Sequence, residues 1–251
     1  MHQERPASSP WPDGCRGAIS LTFDDGLESQ LDQAVPLLEG YGMRATFYVN
    51  PAGKRWEQNT PRWQAVAANG HEIGNHGVGH WCSRAFRSAP GDAPSLETLT
   101  LEQIEADVLE AQARIFQALP DHPARTFCYP CYQDYVGEGA SRQSYVPVIA
   151  RHFIAARGKG EVANHPVTCD LAYAWSWPAE RLGGQTLIGM AETAVAQGRW
   201  GIFTFHGIGE GHLPVVAYDF GEFLGHLQRH GERIWVAPVA RVAQRILDWR
   251  G

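Results

Sequence analysis

Short apolar runs alternate with helical patterns along this chain, and that alternation is the feature that most constrains its fold. The apolar runs, each of strand length, lie at residues 17–23, 44–49, 71–74, 125–129, 152–156, 201–205 and 233–236. The helical patterns lie at residues 30–41, 61–68, 100–119, 185–197, 219–230 and 239–249. Such alternation predicts parallel strands joined by crossover helices. Seven strands with no GxGxxG after the first favour a complete or incomplete barrel over an open dinucleotide-binding sheet.

Local signals refine this prediction at two places. The helix at 100–119 opens with Thr100-Leu-Glu-Gln103, a capping-box pattern, and Pro120 ends it. Residues 158–184 are rich in Gly, Pro, Trp and Tyr, which predicts a long irregular loop of the kind that shapes a binding site. No internal repeat or linker interrupts the chain. We therefore expect a single domain at 18–251, preceded by an N-terminal extension at 1–17.

Composition and charge disfavour some partners and compartments. A net charge of −6 and a pI near 6.0 give no support for a nucleic-acid partner. No apolar run approaches the roughly 20 residues that span a bilayer, so no membrane partner is expected. The first ten residues lack the apolar segment of a signal peptide, which favours the cytoplasm, although a trimmed leader would leave export open. No motif indicates an oligomeric state.

The cysteines also favour the cytoplasm. Their odd number and irregular spacing predict unpaired thiols in a reducing compartment. The pair in Cys128-Tyr-Pro-Cys131 lacks the second ligand pair that a structural zinc site usually has. The five cysteines are Cys15, Cys82, Cys128, Cys131 and Cys169.

Residues that can bind a metal, transfer a proton or contact a substrate follow the predicted strands repeatedly. Because functional groups of α/β barrels collect at the carboxyl ends of the strands, we expect these residues on one rim. They are Asp24, Asp25, His76, His80, Pro130, Arg157 and His206. One Asp and two His are a usual ligand set for a divalent metal, with positions left open for water and substrate. The second carboxylate can take a proton from that water, so the residues predict a metal-dependent hydrolase.

These motifs make the chain resemble the polysaccharide deacetylase family, which is carbohydrate esterase family four or the nodulation-factor-deacetylase homology domain. The resemblance covers residues 18–246 and begins with Thr22-Phe-Asp-Asp-Gly26. The HSxxH or HTxxH motif appears as His76-Gly-Val-Gly-His80, and the last motif as Ile202-Phe-Thr-Phe-His206. The family's Arg-x-Pro motif is matched only at Pro130, with Arg125 as an early candidate for the arginine. Its Asp-Trp motif has Asp170 as the nearest match.

The resemblance implies a distorted (β/α)7-type barrel that removes N- or O-linked acetyl groups from a saccharide. Asp25, His76 and His80 would hold a divalent metal, most commonly zinc, although cobalt, nickel, manganese and iron also suit this donor set. Asp24 would be the general base and His206 the general acid. Gly77, where the family has a hydroxyl residue, would leave the loop glycines to hold both histidines unaided.

Further roles follow from the same resemblance. The Cys131 N–H, just after Pro130, would donate to the tetrahedral oxyanion. Asp170 would keep His206 protonated, and Trp81 and Tyr132 would contact the sugar. Two alternatives stay open: a hydrolase of a small cyclic amide or imide on the same barrel, and a carbohydrate-binding relative without turnover.

Overall fold

A computed structural model describes residues 9–86 and 94–251 of the chain. The strands are β1 Gly17–Asp24, β2 Thr46–Val49, β3 Glu72–Asn75, β4 Thr126–Cys128, β5 Tyr135–Val136, β6 Gln143–Ser144, β7 Ala155–Arg157, β8 Trp177–Pro178, β9 Trp200–Phe205 and β10 Ile234–Val236. The α-helices are α1 Val35–Gly40, α2 Gly53–Ala68, α3 Leu101–Ala118, α4 Val146–Ile149, α5 Gly184–Ala196, α6 Ala217–Arg229 and α7 Val239–Arg250. Each of the seven predicted strands corresponds to one of these strands, and the predicted capping box of α3 is present at Thr100.

The main sheet is parallel and curls into a distorted barrel. Its strands lie in the order β7-β4-β3-β2-β1-β9-β8, and β10 pairs with the first residues of β1. The two edge strands approach each other, because Ala174, just before β8, forms a parallel bridge with Arg157 of β7. The helices pack on the outside of this sheet. The prediction of a single α/β domain with a (β/α)7-type barrel is therefore confirmed.

The two faces of β1 show how the barrel is filled. Successive strand residues point to opposite faces, and Ile19, Leu21 and Phe23 lie in the apolar cluster formed with the surrounding helices. On the other face, Ser20, Thr22 and Asp24 are polar and fully or almost fully buried. Ser20 Oγ donates to the Ala237 carbonyl at 2.7 Å. The inner face of β1 is therefore polar and internally hydrogen-bonded, and it ends at Asp24.

Several predicted boundaries are wrong for identifiable reasons. The helix predicted to begin at Pro61 begins at Gly53, because Pro61 is tolerated on an exposed part of α2. The segment 158–184 is not a continuous irregular loop, since it contains the 3-10 helix Leu171–Tyr173 and the edge strand β8. A two-residue strand carries too little sequence to show period-two alternation, which is why β8 escaped prediction.

The prediction that all five cysteines are unpaired is also wrong. Cys82 and Cys131 form a disulfide, with their Cα atoms 5.8 Å apart, and Cys15, Cys128 and Cys169 are free. The spacing between the Cα atoms is in the ordinary range for a disulfide. The argument for a reducing compartment from unpaired thiols therefore falls. The pairing joins the loops after β3 and β4, which only the fold brings together.

The segment before β1 is anchored to the barrel where the structure describes it. Of the predicted N-terminal extension, residues 1–8 lie outside the described residues. Trp11 is buried in a second apolar cluster, and its indole N–H donates to the Gly198 carbonyl at 3.1 Å. Within residues 9–86 and 94–251, no helix is both long and apolar enough to cross a bilayer.

His71, which precedes β3, is predicted to make stability depend on pH. Its Nδ1 accepts the Ala45 N–H at 3.1 Å, and burial, with help from Arg44, lowers the pKa of His71 to about 4. The unfolded chain therefore binds a proton between about pH 6.5 and 4 that the folded chain does not. As the pH falls from about 6.5 to 4, we expect the free energy of unfolding to decrease by an amount on the order of 3 kcal/mol.

Urea unfolding of the chelator-treated protein at several pH values measures this effect. His71→Asn keeps an acceptor for Ala45 and should flatten the dependence, whereas the matched change at exposed His122 should leave it intact. Equal slopes for wild type and His71→Asn would contradict the prediction.

Candidate functional site

Asp25, His76 and His80 converge at the carboxyl ends of β1 and β3. Asp25 Oδ1 lies 3.5 Å from His76 Nε2 and 3.3 Å from His80 Nε2. One carboxylate oxygen and two imidazole nitrogens at these separations suit a single divalent cation with open positions. Burial raises the pKa of a carboxyl, but the neighbouring imidazoles of His76 and His80 outweigh it and hold the pKa of Asp25 well below its usual range.

The two adjacent aspartates point to different places because the strand ends between them. Asp24 is the last residue of β1, and its side chain continues the inner polar row. Asp25 has a φ of 75°, in the left-handed region, so its side chain leaves the strand pattern. Gly26 and the Arg55 guanidinium, which donates to the Asp25 carbonyl at 2.9 Å, lie beside this turn.

The ring of His76 is oriented for metal binding. His76 Nδ1 lies 2.9 Å from the Cys128 carbonyl, which can only accept, so this nitrogen carries the proton. The Nε2 lone pair therefore faces Asp25 and His80. Such a carbonyl partner is the usual way in which a ligating histidine has its ring fixed. His76 is almost fully buried, which adds to its rigidity.

The glycine-rich loop between the histidines is held by α3, contrary to the expectation that its glycines act unaided. The Asp107 carboxylate accepts the N–H groups of Val78 and Gly79 at 2.9 and 2.8 Å. It also accepts the indole N–H of Trp81 at 3.0 Å, so Trp81 is tied to the loop. Gly77 is required here, because a Cβ at that position would lie 2.6 Å from Asp107 Oδ2.

Asp24 forms an ion pair with Arg157 inside the barrel. Both carboxylate oxygens accept from Arg157 Nη2, at 2.6 and 2.5 Å, and the two side chains are 5% and 0% exposed. Burial disfavours the charged carboxyl, but the guanidinium, followed by His76 and His206, outweighs it and lowers the pKa of Asp24. Asp24 is therefore held as a carboxylate beside the metal ligands.

Arg157 is itself fixed from several directions. Its Nη1 donates to Thr204 Oγ1 at 2.7 Å and to Ser176 Oγ at 3.1 Å. Nη2 also contacts the buried thiol of Cys128. Cys128 stands two residues before Pro130, where the Arg-x-Pro pattern has its arginine. A guanidinium thus enters this site from β7 and not from β4.

His206 follows β9 and lies next to both aspartates. The carboxylates of Asp24 and Asp25 act on its charge, although burial is the larger effect and lowers the pKa of His206. The amide of Gln30 donates to the carbonyls of Asp24 and His206, at 2.6 and 3.1 Å, and so links the ends of β1 and β9. The ring of His212 stands edge-to-face against His206, with centroids 5.5 Å apart.

Two predicted residues lie elsewhere. Asp170 caps a 3-10 helix by accepting the Ala172 N–H at 2.8 Å, and it lines a separate cavity of about 500 Å³ with Trp175 and Arg199. The Nδ1 of His206 is buried without a partner among the described residues, so the geometry contradicts the assignment of Asp170 as its orienting carboxylate. Arg125 begins the segment that leads into β4, and it donates to Gln244 of α7 at 2.6 Å, away from the carboxyl ends.

The segment after β4 borders the site with an unusual backbone. Pro130 is buried, and Cys131 and Tyr132 have φ values of 53° and 59°. Non-glycine residues in this region usually persist only where the surroundings fix them. The Tyr132 carbonyl accepts the Tyr173 hydroxyl at 3.2 Å, and its ring lies near the Arg157 guanidinium.

Four residues that support this site have no motif to mark them. Gln30 and Asp107 lie on helical segments, where a polar side chain ordinarily indicates only a solvated face. Asn50, whose amide donates to the carbonyls of His76 and Gly77 at 2.7 and 3.0 Å, follows β2, as does Arg55. Their position after a strand is the signal that could have found them.

Comparison with known proteins agrees with this geometry. Residues 12–146 match the family model of polysaccharide deacetylases. The chain belongs to this family. Over 95 residues it is 33% identical to a peptidoglycan-N-acetylglucosamine deacetylase of Bacillus cereus, covering 38% of each protein. Matches to three curated relatives span only 5%, 38% and 50% of their lengths.

Solved structures share the fold with this family member. A Mycobacterium smegmatis protein assigned to the polysaccharide deacetylases superposes with a TM-score of 0.69 at 15% identity, covering 99% of this chain and 95% of that one. A family 4 acetyl xylan esterase from Clostridium thermocellum, solved with a cobalt ion, superposes with a TM-score of 0.54 at 19% identity, covering 90% of each chain. At these identities the likeness shows the fold alone.

We predict that Arg157→Gln strongly destabilises the protein, because it leaves the Asp24 carboxylate buried without its partner. Breaking a buried ion pair from one side typically costs about 3–5 kcal/mol. Asp24→Asn combined with Arg157→Gln should recover part of the loss, since no charge is then left unpaired. Urea unfolding of the wild type and of both variants measures these differences.

Arg151→Gln is the matched control, because Arg151 pairs with Glu105 at the surface, where little stability is expected. If Arg157→Gln unfolds at the same urea concentration as Arg151→Gln, the loss of the buried pair's partner does not cost the predicted free energy of unfolding.

Proposed function

We propose that this protein is a metal-dependent deacetylase that removes N- or O-linked acetyl groups from a saccharide. The observation that carries the proposal is the juxtaposition of a metal-ligand set with a separate buried carboxylate. Asp25, His76 and His80 present their ligand atoms to one point, and Asp24 lies beside them without belonging to that set. Membership of the polysaccharide deacetylase family supports the acetylated saccharide as substrate.

The donor set fits a divalent cation. Two imidazoles and one carboxylate suit zinc, and cobalt is also compatible with them. The proton on His76 Nδ1 is fixed by the Cys128 carbonyl, which leaves Nε2 free as a ligand. When bound, such a cation lowers the pKa of a bound water and polarises the acetyl carbonyl.

Each remaining group has a distinct role in this proposal. Asp24, held as a carboxylate by Arg157, would accept a proton from the attacking water. The backbone N–H of Cys131 would donate to the oxyanion that forms on the acetyl oxygen. His206 would pass a proton to the departing amine or alkoxide. Tyr132 and Trp81, which border the two loops, would contact the sugar ring.

The predicted result is acetate release that depends on both metal and Asp24. A panel of N-acetylglucosamine oligomers, acetylated xylan and small acetyl esters should yield acetate with zinc or cobalt and none after chelation. Asp24→Asn leaves the buried Arg157 charge unpaired, so it is assayed only where circular dichroism shows it folded. There it should retain the metal and lose about 10²–10⁴-fold in kcat, the usual contribution of a general base. Asp25→Asn should lose the metal itself, as metal analysis would show.

Asp121→Asn, an exposed change far from these residues in sequence, serves as the matched control and should leave kcat unchanged. Hydrolysis of cyclic imides without acetate release would replace this proposal with the imide hydrolase. Saccharide binding that survives in Asp24→Asn, with no turnover by the wild type, would indicate a binding protein.

A further inference from the structure

The Cys82–Cys131 disulfide connects the two loops that border the candidate site. Cys82 comes two residues after His80, in the segment that follows β3, and Cys131 comes just after Pro130, in the segment that follows β4. The two cysteines are 49 residues apart in sequence. One covalent bond therefore joins the segment of a metal ligand to the segment of the proposed oxyanion donor.

The disulfide also lies against the ring of His80. His76 has its second ring nitrogen fixed by the Cys128 carbonyl, whereas the Nδ1 of His80 lies 3.7 Å from Cys82 Sγ. The His80 side chain is 36% exposed and that of His76 only 2%, so packing restrains His80 less. A ligating histidine usually has its other ring nitrogen held by a neighbouring group. For His80, the disulfide sulfur is the side-chain group in that place.

The backbone gives the same indication. His80 has a φ of 46° and Cys131 a φ of 53°, so both segments contain a non-glycine residue in the left-handed region close to the disulfide. Such conformations are unfavourable for a residue with a side chain and need neighbouring structure to maintain them. Asp107 braces the segment from Val78 to Trp81. The disulfide is the covalent link from this side to Cys131, and beside it the Ser83 N–H donates to Gln133 Oε1 at 2.7 Å.

We propose that the Cys82–Cys131 disulfide positions His80 and the Cys131 backbone, and that reducing it lowers metal affinity and turnover together. The proposal rests on the proposed function for the metal site and for the turnover readout. A dithiol supplies two electrons and two protons, the S–S bond breaks to give two thiols, and the dithiol becomes a disulfide. Reoxidation reverses the change.

Reduction has a second consequence that the experiment must separate. With His80, the two freed sulfurs would form another group of ligand atoms within 4.8 Å of one another. A thiophilic metal bound there would withdraw His80 from Asp25. Replacing both cysteines by serine removes the disulfide without creating thiolate ligands, so it isolates the positioning effect.

The test compares the oxidised protein, the protein reduced with dithiothreitol and exchanged into metal-free buffer, and C82S/C131S. Cobalt affinity, the visible absorption of bound cobalt and kcat/KM for acetate release are measured for each. We expect affinity and kcat/KM to fall about 10–100-fold in the reduced protein and in C82S/C131S, with an altered cobalt spectrum. Reoxidation should restore the wild-type values.

The control is C15S, because Cys15 is a free cysteine packed in the second apolar cluster, and it should behave as wild type. Wild-type cobalt affinity and spectrum in both the reduced protein and C82S/C131S would overturn the inference. If the oxidised protein binds cobalt but releases no acetate, the proposed function fails, and the cobalt comparison still decides the inference. If C82S/C131S misfolds, C82A/C131A, which also lacks the thiols and is checked by circular dichroism, takes its place beside the reduced wild type.

Discussion

A guanidinium buried inside the barrel must have a carboxylate beside it, and Asp24 at the end of β1 provides that carboxylate for Arg157. The pair joins β1 to β7, which stand on opposite sides of the curled sheet. Thr204 and Ser176 accept further hydrogen bonds from the guanidinium, from β9 and from the segment before β8. One polar network thus spans the seam of the barrel and fixes the carboxylate that we propose as the base.

The metal ligands depend on a different kind of restraint. Asp25 is separated from Asp24 by the end of the strand, and its left-handed φ turns it toward the histidine loop. Asp107 holds that loop from outside the sheet. Beyond His80, the Cys82–Cys131 disulfide connects it to the segment after β4, which carries the proposed oxyanion donor. The base is thus positioned from within the barrel and the ligands by the loops above it.

The alternation of strands and helices predicted the barrel. A parallel sheet collects the residues after its strands on one rim, and for that reason the site residues lie together: Asp24, Asp25, His76, His80 and His206. The partners of these residues were less predictable. Gln30 and Asp107 look like ordinary polar helix positions in sequence. The disulfide depends on how two separate loops approach each other. The assignment of Asp170 as the partner of His206 was wrong because of the path of the chain after β7. The chain runs first to the start of β9, where Asn164 pairs with Trp200, and only then reaches Asp170 and β8.

We propose that one divalent cation binds between Asp25, His76 and His80, next to the Asp24–Arg157 pair. Anomalous diffraction at the cobalt edge, from crystals of the oxidised protein grown with cobalt, tests it most directly. We predict a single strong peak within bonding distance of Asp25 Oδ1 and of both histidine Nε2 atoms, with Asp24 still paired to Arg157. A protein whose only peak lies at Glu192, His226 and His230, or which shows no peak at all, would contradict the account.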